Sequence, residues 1–333
     1  MIARRDALRL LAALTAAACA PSRDAIQPSA ARKRPALRLD PVVDLVPAAG
    51  LVWLVDARPR ELVADPVASG VLTSLVSGRR FDGFAARYGA DLRDARELVI
   101  AAFPEALLVL AALPIDPPRL EQALAARALS VEGRAERDGI VRSWGTVRRE
   151  REELALFEGG AAALERRSGI QNGAGPLDAA VYFAQGRLRR SSPALKADPL
   201  AAAAARLGSA PVRGFAPGPF AGDWASGLAG LLQATTALGV AVSSSPPETL
   251  VFRVVLTGAW GAEAPAAAQR LDAAFRVLTE DALGHLLGLE AAGAARSAGD
   301  PTSLELTVPV DAAALIRGLR AVTDASVSEI MAF

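Results

Sequence analysis

Pairs of short apolar segments, each pair interrupted by turn residues, recur along this chain. The clearest pair has Asp138-Gly139 at its tip, a dipeptide typical of two-residue hairpin turns. Hairpins join neighbouring antiparallel strands, and here they outnumber clear parallel crossovers. The pattern therefore predicts an α+β fold, with antiparallel β-sheets and helices packed on one face. The predicted hairpins are residues 97–103 with 106–113, 130–137 with 140–147, and 238–243 with 249–257.

Helical patterns fill much of the sequence between the predicted strands. A helix is expected from Pro117, with Leu120 and Leu124 on one side, because proline suits the first turn of a helix. Alanine-rich segments predict helices over residues 161–167, 199–207, 265–278 and 312–322. Other expectations include short strands at 180–183 and 302–308 and a loop at 213–224.

The order of predicted elements is similar in two parts of the chain, residues 42–175 and 176–333. Residues 153–166 read ELALFEGGAAALER and residues 304–317 read LELTVPVDAAALIR, so both place a predicted strand just before AAAL. This match supports two similar halves, joined at the glycine-containing stretch IQNGAG of residues 170–175. Alanine-rich chains also produce such matches by chance, and both interpretations stay open.

The first 18 residues have the layout of a secretory signal peptide. Arg4 and Arg5 supply the charged start, a short apolar run follows, and small residues precede the expected cleavage point. The stretch Ala16-Ala17-Ala18-Cys19 resembles the lipobox of bacterial lipoproteins. That resemblance implies cleavage before Cys19, lipidation of its sulfur and a stable membrane anchor of more than one fatty chain. The Arg4-Arg5 pair also resembles a twin-arginine export signal, so both export routes are open.

Residues 19–41 are interpreted as the lipidated N-terminus and a tether. Their repeated prolines disfavour helix and favour an extended chain that holds the body away from the bilayer. In lipoproteins of Gram-negative bacteria, aspartate after the lipidated cysteine often signals retention in the inner membrane. Ala20 stands at that position, so the resemblance implies attachment to the outer membrane, facing the periplasm.

Composition excludes several classes of partner and site. The chain has 37 basic and 36 acidic residues, and this balance argues against a nucleic-acid partner. One cysteine rules out a disulfide within the chain, and one histidine, His285, leaves metal sites built from Cys and His clusters without ligands. Neither a cofactor nor a metal is predicted.

No constellation of catalytic residues is recognisable, and no catalytic residue is predicted. The loop of residues 213–224 carries Phe215, Phe220 and Trp224, which predict either a lid over an apolar pocket or anchors that pin the loop to the core. Two clusters of acidic residues are further candidates for a functional site. Glu150, Glu152 and Glu153 lie among arginines, which indicates a solvated turn that neutralises itself, and Asp91, Asp94 and Glu97 lie near a helix-to-strand junction.

These observations support three hypotheses about function. The first is a lipid-anchored cell-envelope protein whose body binds or scaffolds an envelope protein or another partner without covalent chemistry. The second is a periplasmic carrier or chaperone for lipids or other apolar ligands, gated by the segment from Phe215 to Trp224. The third is an envelope hydrolase that uses dispersed carboxylates, which predicts a polar cleft where at least two carboxylates converge.

Overall fold

The computed structural model describes residues 36–168, 174–187, 191–222, 226, 228–281, 284, 289, 293 and 295–318. Within these residues, twelve strands form one antiparallel sheet in the order β11-β12-β10-β9-β8-β1-β2-β3-β7-β6-β5-β4. The predicted α+β class and the antiparallel pairing are therefore confirmed. The strands are β1 (Trp53–Ala57), β2 (Glu97–Phe103), β3 (Ala106–Ala112), β4 (Ser130–Arg137), β5 (Ile140–Val147), β6 (Glu150–Phe157), β7 (Ala161–Arg167), β8 (Val212–Pro217), β9 (Thr235–Ser245), β10 (Thr249–Gly258), β11 (Arg296–Asp300) and β12 (Ser303–Asp311).

The helices of the described residues connect these strands, and none of them is long and apolar enough to cross a membrane. They are α1 (Pro59–Ala64), α2 (Pro66–Leu75), α3 (Gly78–Tyr88), α4 (Pro117–Arg127), α5 (Pro176–Ala184), α6 (Leu200–Leu207) and α7 (Ala264–Glu280), and residues 312–318 are also helical. A 3₁₀ turn, Val42–Leu45, precedes β1. Four of these helices, α1, α2, α4 and α5, begin with proline, where no helical N–H is lost.

Helices pack on both faces of the sheet, whereas the sequence predicted them on one. The 3₁₀ turn, α5 and α6 share a core with one face, to which Leu54 and Phe215 belong. On the other face, α4 packs near Leu154 and α7 near Leu304. Strand β6 shows why both faces need cover: its last six residues are all buried, so its successive side chains point into cores on opposite sides.

The two predicted halves contribute adjacent blocks of the sheet, with β1–β7 on one side and β8–β12 on the other. The blocks meet where β1 pairs with β8, in the register Leu54 with Phe215. Each block begins with three successive strands side by side, β1–β3 in one and β8–β10 in the other. The last strand of each block then pairs with the third strand, so that β7 pairs with β3 and β12 pairs with β10. Duplication of a half stays a prediction, and this shared topology supports it.

The local sequence match between the halves does not correspond to equivalent structure. Residues 161–167 form strand β7, whereas the matching AAAL at residues 312–315 is helical. The predicted helix at 161–167 is therefore wrong. Pairing with both β3 and β6 outweighs the helix preference of its alanines, and its alternating burial matches a strand between two neighbours.

Two further predictions are corrected. The predicted strand at 180–183 lies inside α5, whose buried Leu177, Ala180, Val181 and Ala184 recur with helical spacing. The predicted loop at 213–224 begins with β8. The three hairpins are confirmed, and at the tip of the second one Asp138 and Gly139 have φ of 54° and 78°, the left-handed values that its two-residue turn requires.

Candidate functional site

Strands β1, β2 and β8 bring charged side chains together near the middle of the sheet. Asp56 on β1 lies opposite Arg213 on β8, and Glu97 on β2 projects from the same face as Asp56. These side chains border a cleft of about 260 Å³, here called the central cleft. Its lining residues are Asp40, Pro41, Asp56, Arg58, Glu61, Arg96, Glu97 and Arg213.

Asp56 is buried, with 4% of its surface exposed, and only one of its oxygens is used. Its Oδ2 accepts two hydrogen bonds from the Arg213 guanidinium, one from Nη2 and one from Nε at 3.1 Å. Its Oδ1 is buried and receives no hydrogen bond from any residue of the described part of the chain. A buried acceptor without a donor costs about 1–3 kcal/mol, and because Oδ1 has almost no exposed surface this cost is borne within the folded chain.

Glu97 has both of its oxygens occupied by the backbone. Oε2 accepts from the N–H of Val42 and Oε1 from the N–H of Val43, each at 2.9 Å. Burial raises the pKa of Glu97 above its ordinary value; the two N–H donors act in the opposite direction, and the charges of Asp56 and Asp40 raise it further. Glu97 therefore fastens the 3₁₀ turn to the sheet and forms one wall of the cleft.

Arginines stand at the mouth of the central cleft. Arg58 donates from Nη2 to Ser209 Oγ at 2.9 Å and lies 3.5 Å from a carboxylate oxygen of Glu61. Arg96 is 64% exposed, and its closest carboxylate oxygen, on Asp40, is 3.7 Å away. An exposed ion pair at that distance contributes little, so the Arg96 guanidinium is open to another anion.

The last residues of the segment predicted as a tether, 37–41, contact the body beside the cleft. Leu37 and Leu39 are half-buried against the core, and the N–H of Arg38 donates to the carbonyl of Ala184 in α5 at 2.7 Å. The residues that follow, Asp40 and Pro41, then line the cleft. Residues 37–41 therefore pack on the body and form part of the site.

Buried carboxylates on β6 belong to ion-pair clusters on opposite faces of the sheet. Glu152 accepts from Arg127 Nε at 2.9 Å and from Arg166 Nη2 at 3.1 Å. Its neighbour Glu153 accepts from Arg142 Nε at 2.6 Å. The solvated turn predicted for this group is wrong for Glu152 and Glu153, since both lie in a strand beneath helices. Their oxygens already have guanidinium donors, which indicates structural roles.

Two of the predicted lid residues, Phe215 and Phe220, pack against different cores. Phe215 is in β8, in the core on the face of α5 and α6. Phe220 is half-buried against the core of the other face. Phe215 thus has the position expected of a core anchor, and the carrier hypothesis stays a prediction. Trp224, His285 and Cys19 lie outside the described residues.

Sequence reasoning noticed Glu97 but missed Asp56. The sequence did contain a signal, since the apolar run LVWLVD of residues 51–56 ends in an aspartate. An aspartate at the end of a buried strand is costly unless its charge is paired. The partner, Arg213, is 157 residues away in the sequence, so no spacing rule connects the two. The described residues gather no group of three His, Cys, Asp or Glu side chains that would hold a metal ion.

Comparison of the chain with protein-family models, with curated proteins and with solved structures finds no match, so the central cleft is interpreted from its own chemistry.

Proposed function

We propose that this chain is a lipid-anchored cell-envelope protein whose body binds a small polar molecule in the central cleft and carries out no covalent chemistry. The signal-like residues 1–18, Cys19 at their end and the proline-spaced segment that follows support the anchor. The observation that carries the binding role is a polar cleft of about 260 Å³ with the exposed Arg96 guanidinium at its mouth, only weakly paired with Asp40 and open to an anionic group.

The arrangement of the two cleft carboxylates supports binding over catalysis. General acid–base chemistry needs positioned groups that are free to take or give a proton. Both oxygens of Glu97 hold backbone N–H groups, and one oxygen of Asp56 is held by Arg213. The cleft therefore combines carboxylates that are already engaged with guanidinium donors at its mouth, an arrangement that suits recognition of a small polar ligand.

Metabolic labelling with a radioactive fatty acid tests the anchor. The wild-type protein should carry the label and sediment with the outer membrane, because Ala20 does not match the retention signal. The Cys19→Ser variant should carry no label and should leave the membrane in a wash without detergent. Retention of the label by Cys19→Ser would refute the anchor.

An envelope hydrolase is the second candidate function, and one observation favours it. Asp56 and Glu97 border one polar cleft, and the pKa of Glu97 is raised. Turnover of nitrophenyl esters, glycosides or phosphates by the purified protein, lost in Asp56→Asn and kept in Glu150→Gln at an exposed position outside the cleft, would establish it. Absence of turnover across these substrates, together with retention of an unmodified ligand in native mass spectrometry, would favour the binding role.

A further inference from the structure

We infer that a second pocket, beside the C-terminal end of α5, binds a phosphate group with Arg187 as its main donor. This pocket, here called the α5 pocket, has a volume of about 210 Å³ and lies between α5 and the β4–β5 hairpin. Its lining residues are Ala135, Arg137, Asp138, Ile140, Arg142, Asp178, Val181, Tyr182, Gln185 and Arg187. None of them lines the central cleft, so this inference does not depend on binding there.

The way in which α5 ends positions the donors of this pocket. Gly186 has a φ of 70°, and the N–H of Arg187 donates to the carbonyl of Tyr182 at 2.8 Å, which ends the helix in a Schellman motif. Tyr182 and Gln185 are three residues apart and therefore lie on one side of the last turn. The last four carbonyls of α5 all accept backbone N–H groups, those of Arg38, Gln185, Gly186 and Arg187. The repulsion that free carbonyls at a helix end exert on an anion is therefore reduced.

Several donors that line the pocket are open to a ligand. The Tyr182 hydroxyl, the Gln185 amide and the Arg187 guanidinium have no partner among the described residues, and Tyr182 and Arg187 are exposed. Arg137 is 84% exposed, and its nearest carboxylate oxygen, on the adjacent Asp138, is 3.4 Å away. An exposed pair of that kind contributes little, so Arg137 is a fourth available donor.

The charges of the pocket favour an anion. Its lining includes three guanidinium groups and two carboxylates. Asp178 Oδ1 accepts from Arg142 Nη2 at 2.8 Å. Glu153, which also contacts Arg142, has a second guanidinium at 3.6 Å, that of Arg151. These four charges balance one another, which leaves Arg187 as a positive charge without a counter-ion in the part of the chain that the structure describes.

A phosphate group matches these donors better than a carboxylate. Four side chains offer N–H or O–H groups, and a phosphate ester has three strong acceptor oxygens where a carboxylate has two. A guanidinium also binds phosphate oxygens in a bidentate manner. The volume of about 210 Å³ leaves room for the phosphate and for part of the alcohol esterified to it.

The position of the pocket favours an anionic phospholipid headgroup as the source of the phosphate. Arg38 is exposed and lies against the end of α5, since a Cβ built at Gly186 would be 3.3 Å from its Nε. The described chain thus enters the body next to Arg187. Residues 19–36 span at most about 60 Å, so a body anchored at Cys19 stays within that distance of the bilayer. This choice of source, unlike phosphate binding itself, rests on the proposed anchor.

Binding is tested by nuclear magnetic resonance on the full chain carrying Cys19→Ser, a change outside the pocket that removes the proposed lipid. Glycerol 3-phosphate is the probe, and glycerol and acetate are its controls. We expect glycerol 3-phosphate to shift backbone N–H resonances of α5 saturably. Glycerol should produce no saturable shift, and acetate should bind about fivefold more weakly or less tightly still, because it has fewer acceptor oxygens.

Variants assign the shift to the pocket. Arg187→Gln should weaken binding of glycerol 3-phosphate by about tenfold or more, because it removes a charge-assisted hydrogen bond and keeps the backbone bond that ends α5. Tyr182→Phe removes only a hydroxyl and should weaken binding by about two- to tenfold. Arg79→Gln is the control, an exposed arginine on α3, which packs against α4 on the opposite face of the sheet; it should change affinity by less than about twofold. If Arg187→Gln does not fold, Tyr182→Phe and the comparison of the three probes decide the question.

Vesicles distinguish a lipid headgroup from a free phosphate ester. The same chain is sedimented with vesicles of phosphatidylcholine, with and without phosphatidylglycerol. If the headgroup is the source, Arg187→Gln should reduce binding to the phosphatidylglycerol vesicles more than Arg79→Gln does, and glycerol 3-phosphate should compete. Equal binding of the two variants, with the soluble probe still bound by the unsubstituted pocket, would overturn the headgroup as the source and favour a free phosphate ester.

Three results would overturn phosphate binding itself. They are no saturable shift with glycerol 3-phosphate, equal affinity for acetate, and unchanged affinity in Arg187→Gln. Because the α5 pocket and the central cleft have no lining residue in common, each of these results would leave the proposed function standing.

Discussion

Replacement of Glu152 by glutamine tests the buried ion-pair cluster on β6 with almost no change in side-chain volume. Glu152 is 1% exposed and receives donors from two arginines, one on each oxygen. Glutamine keeps one acceptor oxygen and places an NH₂ group against the donors of the other arginine. The variant thus removes a buried negative charge and places the N–H groups of glutamine against the N–H groups of an arginine.

The size of the effect follows from the exposure of the two arginines. The Arg127 side chain is 9% exposed, and its Nη1 is buried without a hydrogen-bond partner among the described residues. Arg166 is 38% exposed and lies 3.3 Å from a second carboxylate, that of Glu150. Most of the loss therefore falls on Arg127, whose side chain is largely buried and whose guanidinium lies over the Tyr88 ring at 4.5 Å. Removing one partner of a buried pair costs about 3–5 kcal/mol, and we expect Glu152→Gln to lose about 3 kcal/mol.

Urea unfolding measures this loss, and the same strand provides a matched control. Glu150→Gln makes the identical chemical change two residues away, at a side chain that is 41% exposed. It should lower the free energy of unfolding by less than about 1 kcal/mol, because exposed ion pairs contribute little. Equal losses in the two variants would refute the argument that burial, and not charge alone, makes the Glu152 cluster important.

Two other positions give predictions from their local contacts. Glu97→Gln should lower the free energy of unfolding by about 1–3 kcal/mol in urea, because its NH₂ group would face a backbone N–H that the carboxylate now accepts. Since the folded-state pKa of Glu97 is raised, wild-type stability should fall as pH rises from about 4.5 through that pKa, and Glu97→Gln should lack this slope; the same slope in both proteins would contradict the assignment. Gly145→Ala should destabilise the β4–β5 pair by about 1–3 kcal/mol, because the new Cβ would lie 2.4 Å from the Ser130 carbonyl oxygen. Gly78→Ala, where a Cβ meets nothing within 4 Å, is its control in thermal unfolding, and a similar loss there would contradict the steric explanation.

Local signals in the sequence predicted the three hairpins and three of the four alanine-rich helices, at 200–207, 264–280 and 312–318, but not the fourth alanine-rich segment. The turn at Asp138-Gly139 depends on backbone angles that two neighbouring residues set, so its position was readable directly. Residues 161–167 carry a local helix preference, yet β3 and β6 provide edges on both sides, and the segment becomes a strand. At residues 176–184 the opposite occurs, since packing against the face of the sheet favours a helix over the predicted short strand.

The central cleft was only partly predictable for a related reason. The hydrolase hypothesis predicted a polar cleft lined by carboxylates, and Glu97 belonged to one of the two acidic clusters recognised in the sequence. Asp56 was missed because its environment is created by β8, which begins more than 150 residues later. The burial of Glu152 and Glu153 was also hidden, because a charged stretch is expected to be solvated unless helices cover both sides of its strand.

The amino-acid sequence by itself determined the hairpin turns, the helix that begins at Pro117 and the antiparallel class, and it predicts a lipidated Cys19 at the end of a signal peptide. Backbone preferences of this kind act over a few residues and are therefore legible along the chain. Only the tertiary structure decided that β1 pairs with β8, that helices cover both faces of the sheet, and that Asp56 meets Arg213 beside Glu97. Burial and charge pairing depend on residues distant in the sequence, so the site exists only once the sheet has formed.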